Sequence, residues 1–264
     1  MQIWLPPSES KAAATAGPRL ELDSLVFPEL AGARSAVIAA LEELGAGEDA
    51  ARVLKLGAKS AADADANLRL FEDGCAPALD LYTGVLFEAL DAGSLADAQA
   101  RKLNGVTLIA SGLFGFVRPG DFIPGHRLAM GVNLPPLGPL ATWWRPRLEA
   151  AVGDLAGEVV FDVRSGPYRA ACPAKSASVV ELGVVRESGG ERKVVSHMAK
   201  KWRGLAVRHL VCDEAVTEDA DLAEVLTSLE VLGENLEGRL EVDAPVASRG
   251  GGTVTRATLV FPSA

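Results

Sequence analysis

Three stretches of this chain carry residue types that grip anions or move protons. The first is Ser111-Gly112-Leu113-Phe114-Gly115-Phe116-Val117-Arg118-Pro119-Gly120-Asp121, which ends the apolar run from Val106 to Ala110. Glycine lets a backbone approach a ligand closely or take φ > 0. Arg118 offers a forked, permanent charge suited to phosphate or carboxylate. The second is Ser8-Glu9-Ser10-Lys11, after the strand-like Gln2 to Leu5. The third is Asp162, Arg164, Ser165 and Tyr168, after Val159 to Phe161. In an open α/β sheet, ligands gather outside the carboxyl ends of strands. If the three apolar runs are neighbouring parallel strands, their serines and cations converge. Serines also end strands and cap helices in ordinary packing, so it is the threefold recurrence that points to a site.

A fourth stretch, His197 to Cys212, reads as a helix. At about 100° per residue, Met198, Trp202, Leu205, Ala206, His209 and Leu210 share one face. Lys200, Lys201 and Arg208 fall opposite, with Arg203 at the border. Gly204 sits mid-helix at a cost of about 1 kcal/mol against alanine, which points to close approach by another backbone or a ligand. Arg52 to Ala66, with Leu56-Gly57-Ala58-Lys59-Ser60-Ala61 at its centre, has the look of a helix-hairpin-helix. Such a turn presents backbone N–H groups to one DNA phosphate without reading sequence. A plain helical connection is the simpler reading of the same residues.

Other chemistries lack their signatures. His126, His197 and His209 have no paired metal spacing, and there is no Cys-x-x-Cys, so neither a metal nor a cofactor is expected. There is no Walker A loop and no Gly-x-Gly-x-x-Gly after the first strand. His209 falls on the apolar face and reads as core. Tyr82-Thr83-Gly84 interrupts a helical pattern and reads more readily as packing than as site.

The elements that must position these residues follow from periodicity. Leu30, Ala33, Val37, Ile38, Leu41 and Leu44 recur at three and four and predict a helix over 28–44, stopped by Gly45 and Gly47. Further helices are expected over 76–90, 95–103, 140–152 and 220–232. Strands are expected over 2–5, 106–110, 158–163, 178–186 and 253–261. Gly189-Gly190 marks a turn into 193–195, giving a hairpin. No repeat, low-complexity tract or clear linker divides residues 1–264, so a single domain is expected.

The bulk numbers bound the function. The chain has 264 residues, is 48% hydrophobic and has a net charge of −9. No apolar run reaches the roughly 20 residues needed to span a bilayer, and no basic region followed by an apolar stretch opens the chain. Three separated cysteines, Cys75, Cys172 and Cys212, fit a reducing cytoplasm. Net acidity argues against nucleic acid, but the charge is uneven. From Arg101 to Arg147, Arg101, Lys102, Arg118, Arg127, Arg145 and Arg147 face Asp121 alone. From Arg192 to Arg208 there are basic residues and no acid. A local positive surface therefore requires the fold to join those two segments.

These motifs together resemble the YaaA family of bacterial peroxide-stress proteins. Tyr82-Thr83-Gly84, Ser111 to Gly115 with Arg118-Pro119 and Asp121, Arg127-Leu128 with Met130-Gly131, and Ala199-Lys200-Lys201 with Arg203-Gly204 are all family-like. The block ending in Ser165 and Tyr168 is a weaker match. The likeness runs from the first strand to about Val211. The chain departs from the family in a longer loop before Lys11, in His126 where a tyrosine is usual, and in Trp202 where a small residue is usual. The resemblance implies a compact α/β (α+β) fold, a mixed central sheet surrounded by helices, with a helix-hairpin-helix-like element. It also implies a protein similar to those that bind DNA through a positive cleft and limit damage during hydrogen peroxide stress, partly by keeping unincorporated iron low.

Three functions are carried forward. The first is a cytoplasmic, sequence-independent DNA-binding protein of the peroxide stress response. Arg118, Arg127, Lys200, Lys201 and Arg203 would contact phosphates beside Ser111, Gly112, Ser165 and Tyr168, with Gly57 and Lys59 adding a backbone turn. The second is an enzyme acting on a nucleotide or damaged base, with Asp121 as base and Lys11 or Lys200 as phosphate clamp or nucleophile. The third is a non-catalytic module for a small anion or iron-related ligand. Neither a membrane nor an obligate protein partner is expected.

Overall fold

Ile3, Trp4 and Leu5 are fully buried, so the first strand meets water on neither face. β1 (Gln2–Leu5) lies between β2 (Thr107–Ser111) and, further along the chain, the strand Val159–Asp162. It is parallel to both, with Trp4 opposite Leu108 on one side and Ile3 opposite Phe161 on the other. Parallel strands buried on both faces need helices on both sides, which explains the continuous apolar runs in the sequence.

In this computed structural model, residues 1–12, 16–188, 191–194 and 196–262 are described, with backbone alone for 58, 59, 61, 62, 194 and 196–198. After β3 (Gly115–Val117), the sheet continues through β4 (Val159–Asp162), β5 (Ser178–Ser188), β6 (Glu191–Val194), β7 (Arg239–Val242), β8 (Val246–Ala247) and β9 (Thr253–Pro262). The main order is β7-β9-β5-β4-β1-β2-β3, with β6 on β5 and β8 on β9, nine strands in all. Strands β2, β1, β4, β5 and β9 run parallel; β3, β6, β7 and β8 run antiparallel. The fold is thus α/β with a mixed central sheet, as the sequence resemblance implied. The chain moves from β1 outward to β2 on one side and returns to β4 on the other, which makes the carboxyl end of β1 a topological switch point.

The helices are α1 (Ala31–Leu44), α2 (Glu48–Val53), α3 (Ala78–Leu81), α4 (Val85–Leu90), α5 (Asp97–Val106), α6 (Leu140–Val152), α7 (Gly166–Ala171), α8 (Ser196–Cys212) and α9 (Leu222–Asn235). The helix predicted over 76–90 is broken at Tyr82–Gly84, where Gly84 takes φ +100°. The expected helix-hairpin-helix region is a six-residue helix, α2, followed by a 3-10 segment at Ala58–Leu68. Gly57 sits there at an ordinary φ of −77°, and Lys55 supplies the left-handed turn instead. The β5–β6 hairpin forms as expected, while its Gly189-Gly190 turn and Val195 lie outside the described residues.

Candidate functional site

A cleft of about 370 Å³ opens at the carboxyl ends of β1 and β4. One wall is Pro6 to Ser10, the loop leaving β1. A second is Thr83 to Phe87, the break before α4 and its first turn. Ser165 and Tyr168 enter from α7, and Lys200 and Arg203 from α8. Each wall has a local cause. Pro6-Pro7 cannot extend the β1 ladder, so the chain leaves the sheet there. The loop is then stitched to the α3–α4 break: Ala12 N–H donates to Leu81 O at 2.8 Å, and Thr83 N–H to Ser10 O at 3.2 Å.

α8 is held against α4 at short range. A Cβ on Gly204 would lie 2.2 Å from the Leu86 carbonyl oxygen. The mid-helix glycine therefore marks close approach by another backbone. Its neighbour Arg203 is carried to the cleft wall beside Leu86 and Phe87. Arg208, one turn further, donates to Leu90 O at 2.9 Å and to Ser94 Oγ at 2.8 Å, which locks the same pair of helices.

Behind α7 lies a buried ionic network. Arg164 grips Asp162 with two bonds, Nε to Oδ1 at 2.9 Å and Nη2 to Oδ2 at 2.8 Å. Its remaining donors hold Tyr168 O at 3.2 Å and Cys172 O at 2.9 Å, fixing the backbone that presents Ser165 and Tyr168. Arg164 also lies over the Trp4 ring at 4.3 Å. Arg169 pairs with Glu181 at 2.8 Å and with Asp162 at 3.7 Å. Arg203 is the exception. It makes no ion pair among the described residues, and its buried Nε has no hydrogen-bond partner among them. Burial, then the like charge of Arg169, pushes its guanidinium below the ordinary arginine value.

Lys11 sits at the foot of the β1 loop. Its amine donates to Ser8 O at 3.1 Å and lies 5.2 Å from the centre of the Tyr82 ring. Burial lowers it to about 8, against the attraction of Glu9. His126, buried under Phe114 and Tyr82, is held neutral by burial and by the nearby Lys11 charge. Burial pushes the Tyr82 and Tyr168 phenols up, so both stay protonated. The Tyr168 hydroxyl accepts from Met130 N–H at 3.4 Å. The Tyr82 hydroxyl is buried with no hydrogen-bond partner among the described residues.

Four of the expected site residues line the cleft: Ser165, Tyr168, Lys200 and Arg203. Lys11 lies directly beneath its β1 wall. Arg127 is committed to Glu9 (Nε to Oε2, 3.2 Å) and Asp63 (3.5 Å), and lines a separate hollow of about 240 Å³ that shares Glu9 with the cleft. Lys201 is exposed on α8 outside the lining, and Gly57 is exposed at its turn. The Lys59 side chain lies outside the described residues.

Four expected site residues have other work. Arg118 donates to Asn104 O and Gly105 O at the amino end of β2, because β3 returns antiparallel and carries it away from the cleft. Asp121 is consumed as a loop staple, accepting from Arg118 N–H at 2.9 Å and Val26 N–H at 3.0 Å. Ser111 is fully buried, and its hydroxyl accepts from Leu113 and Phe114 N–H groups. A Cβ on Gly112 would lie 2.4 Å from Leu128 O, and one on Gly115 would strike Leu148 and Trp144. The glycine-rich segment thus admits the loop backbone at Leu128 and Ala129 and the side chains of α6, not a ligand. Thr83 and Gly84, read from the sequence as packing, line the cleft together with Val85, Leu86 and Phe87, which the sequence did not single out. The interruption of helical periodicity at Gly84 was the available signal.

Among the described residues, no group of three or more His, Cys, Asp or Glu is placed to hold a metal ion, and no helix is long and apolar enough to cross a membrane. Comparison with known proteins gives a match over residues 1–229 to the family model described as Peroxide stress protein YaaA. A UPF0246 protein of Streptomyces coelicolor is 39% identical, covering 95% of each chain. A UPF0246 protein of Corynebacterium efficiens is 37% identical over 91% of this chain and 98% of its own, and one from Corynebacterium glutamicum is 36% identical over 84% and 89%.

Proposed function

This chain belongs to the Peroxide stress protein YaaA family, and from that premise we propose that it serves the peroxide stress response by binding nucleic acid through phosphate held in the β1–β4 cleft. The observation that carries this reading is Arg203, a partly buried guanidinium on the cleft wall with no anionic partner among the described residues. An uncompensated buried charge is costly, and a phosphate oxygen supplies what the protein does not. Lys200 at the rim adds a second charge. Contact with phosphate and not with base edges carries no sequence information, so binding is sequence-independent. The protein works in the cytoplasm, as one domain and without a membrane partner.

Fluorescence anisotropy with a labelled single-stranded DNA oligonucleotide tests this. Arg203→Gln weakens binding about tenfold, in line with the loss of a charge-assisted hydrogen bond worth roughly 1.5–3 kcal/mol. Arg118→Gln, remote from the cleft, binds as wild type does. Equal affinity for wild type and Arg203→Gln would overturn the reading.

A second reading, an enzyme acting on a nucleotide or damaged base in the same cleft, is favoured by one observation. Lys11, lowered to about 8, keeps a larger uncharged fraction near neutrality than an ordinary lysine, which favours nucleophilic attack. Asp121 is not available as its base. Product formation from damaged duplexes or free nucleotides, lost in Lys11→Met, distinguishes this reading from binding alone.

A further inference from the structure

The charge count around Arg203 specifies the anion more closely than "phosphate". Three guanidinium groups, on Arg164, Arg169 and Arg203, meet two carboxylates, on Asp162 and Glu181. Arg164 and Arg169 take both carboxylates, which leaves one positive charge in excess, on Arg203. Lys200, exposed at the rim of the same cleft, brings the unmatched charge to two, because the one carboxylate in the lining, on Glu9, is paired with Arg127 at 3.2 Å. An internal phosphodiester carries one negative charge. A phosphomonoester, with a second pKa near 6, carries close to two at pH 7.

The shape of the cleft limits the rest of the ligand. About 370 Å³ is at the lower end for small-molecule sites and far below what a duplex would need. The rest of the lining joins apolar Pro6, Pro7, Val85 and Phe87 to the polar Ser8, Glu9 and Ser10 of the β1 loop. That surface suits a sugar and one base, with the hydroxyl of Thr83 among it.

We infer that the cleft takes the terminal phosphomonoester of a single nucleotide, with the phosphate between Arg203 and Lys200 and the sugar and base along Pro6, Pro7 and Phe87. This inference rests on the proposal that the cleft binds phosphate. The same chemistry comes from a free nucleotide or from the phosphorylated end of a strand.

Calorimetric titration of the full chain distinguishes the cases. The probes are a deoxynucleoside 5′-monophosphate, its deoxynucleoside, inorganic phosphate, a dinucleoside monophosphate with only an internal phosphate, and a short single strand with either a 5′-phosphate or a 5′-hydroxyl. The mononucleotide, the 5′-phosphorylated strand or both bind at least about tenfold more tightly than their counterparts without a terminal phosphate, a difference of about 1.4 kcal/mol. Arg203→Gln removes that difference, and circular dichroism of the variant matches wild type. Mononucleotide preference alone identifies a free nucleotide as the source; strand preference alone identifies a strand end. A dinucleoside monophosphate that binds as well as the mononucleotide, or inorganic phosphate that does so, overturns the inference and leaves phosphate binding intact. No binding by any phosphate-bearing probe overturns both. If Arg203→Gln fails to fold, Lys200→Gln on the exposed rim carries the same comparison, with a smaller expected loss.

Discussion

At the scale of single residues, environment separates groups that the sequence presents as equals. Lys11 and Arg203 are both cations near one cleft, and burial lowers both, Lys11 to about 8. Burial penalises the charged form of Lys11. Its folded value lies below the unfolded value near 10.5, so the unfolded chain binds more protons between about pH 8 and 10.5. Stability therefore rises with pH across that window, and below it Lys11 is a net cost. Lys11→Met is expected to be more stable than wild type at pH 7, with the gap closing by pH 10. Urea denaturation of both proteins at the two pH values checks this; a gap that stays constant would show that Lys11 is not buried as described. The cysteines carry a related message, because burial pushes the Cys172 thiol up to about 12 and keeps it a poor nucleophile toward oxidants. Ser165, Tyr168, Lys200 and Arg203, singled out from a strand end, a helix face and the family resemblance, line one cleft. Arg118 and Asp121 do not, because the direction in which a chain leaves a strand depends on the pairing of the next strand, and β3 turns back.

At the scale of elements, α4 and α8 form one side of the cleft and are packed closely together. The closeness of Gly204 to the Leu86 carbonyl sets their separation. Gly204→Ala trades a gain in helix propensity of about 1 kcal/mol against a clash with backbone, which has no rotamer to yield. Overpacking of this kind costs about 1–3 kcal/mol. The variant is expected to melt lower than wild type and to bind single-stranded DNA more weakly, since moving α8 outward carries Arg203 and Lys200 with it. A melting temperature at or above wild type, with unchanged affinity, would contradict this account of the helix pair. The predicted 140–152 helix appears as Leu140–Val152 because its stripe is long and regular. The helix expected over 76–90 is two short helices, because the interruption at Tyr82–Gly84 is a true break, with Gly84 at φ +100°.

At the scale of the whole molecule, the question is how an acidic protein meets a polyanion. The fold leaves few cations facing the cleft, and several others are held in ion pairs: Arg127 with Glu9 and Asp63, Arg192 and Arg239 with Glu187 and Glu241. Of the two basic stretches of sequence, Lys200 and Arg203 line the cleft, while Arg118 and Arg127 do not. The parallel strands around β1 were legible from their unbroken apolar runs, and the family from its scattered motifs. The pairing of each cation was not legible, because it is set by contacts between residues as distant as Arg127 and Glu9. A small local anion site therefore gives a shallow response to salt. For single strands, log K falls with log salt by about 0.7 per phosphate neutralised, so two cations give a slope of about −1.4. The most direct measurement is that slope for single-stranded DNA in wild type and Arg203→Gln. The expected result is about −1.4 falling to about −0.7 as one contact is lost; equal slopes in the two proteins, or a wild-type slope steeper than about −4, would contradict it.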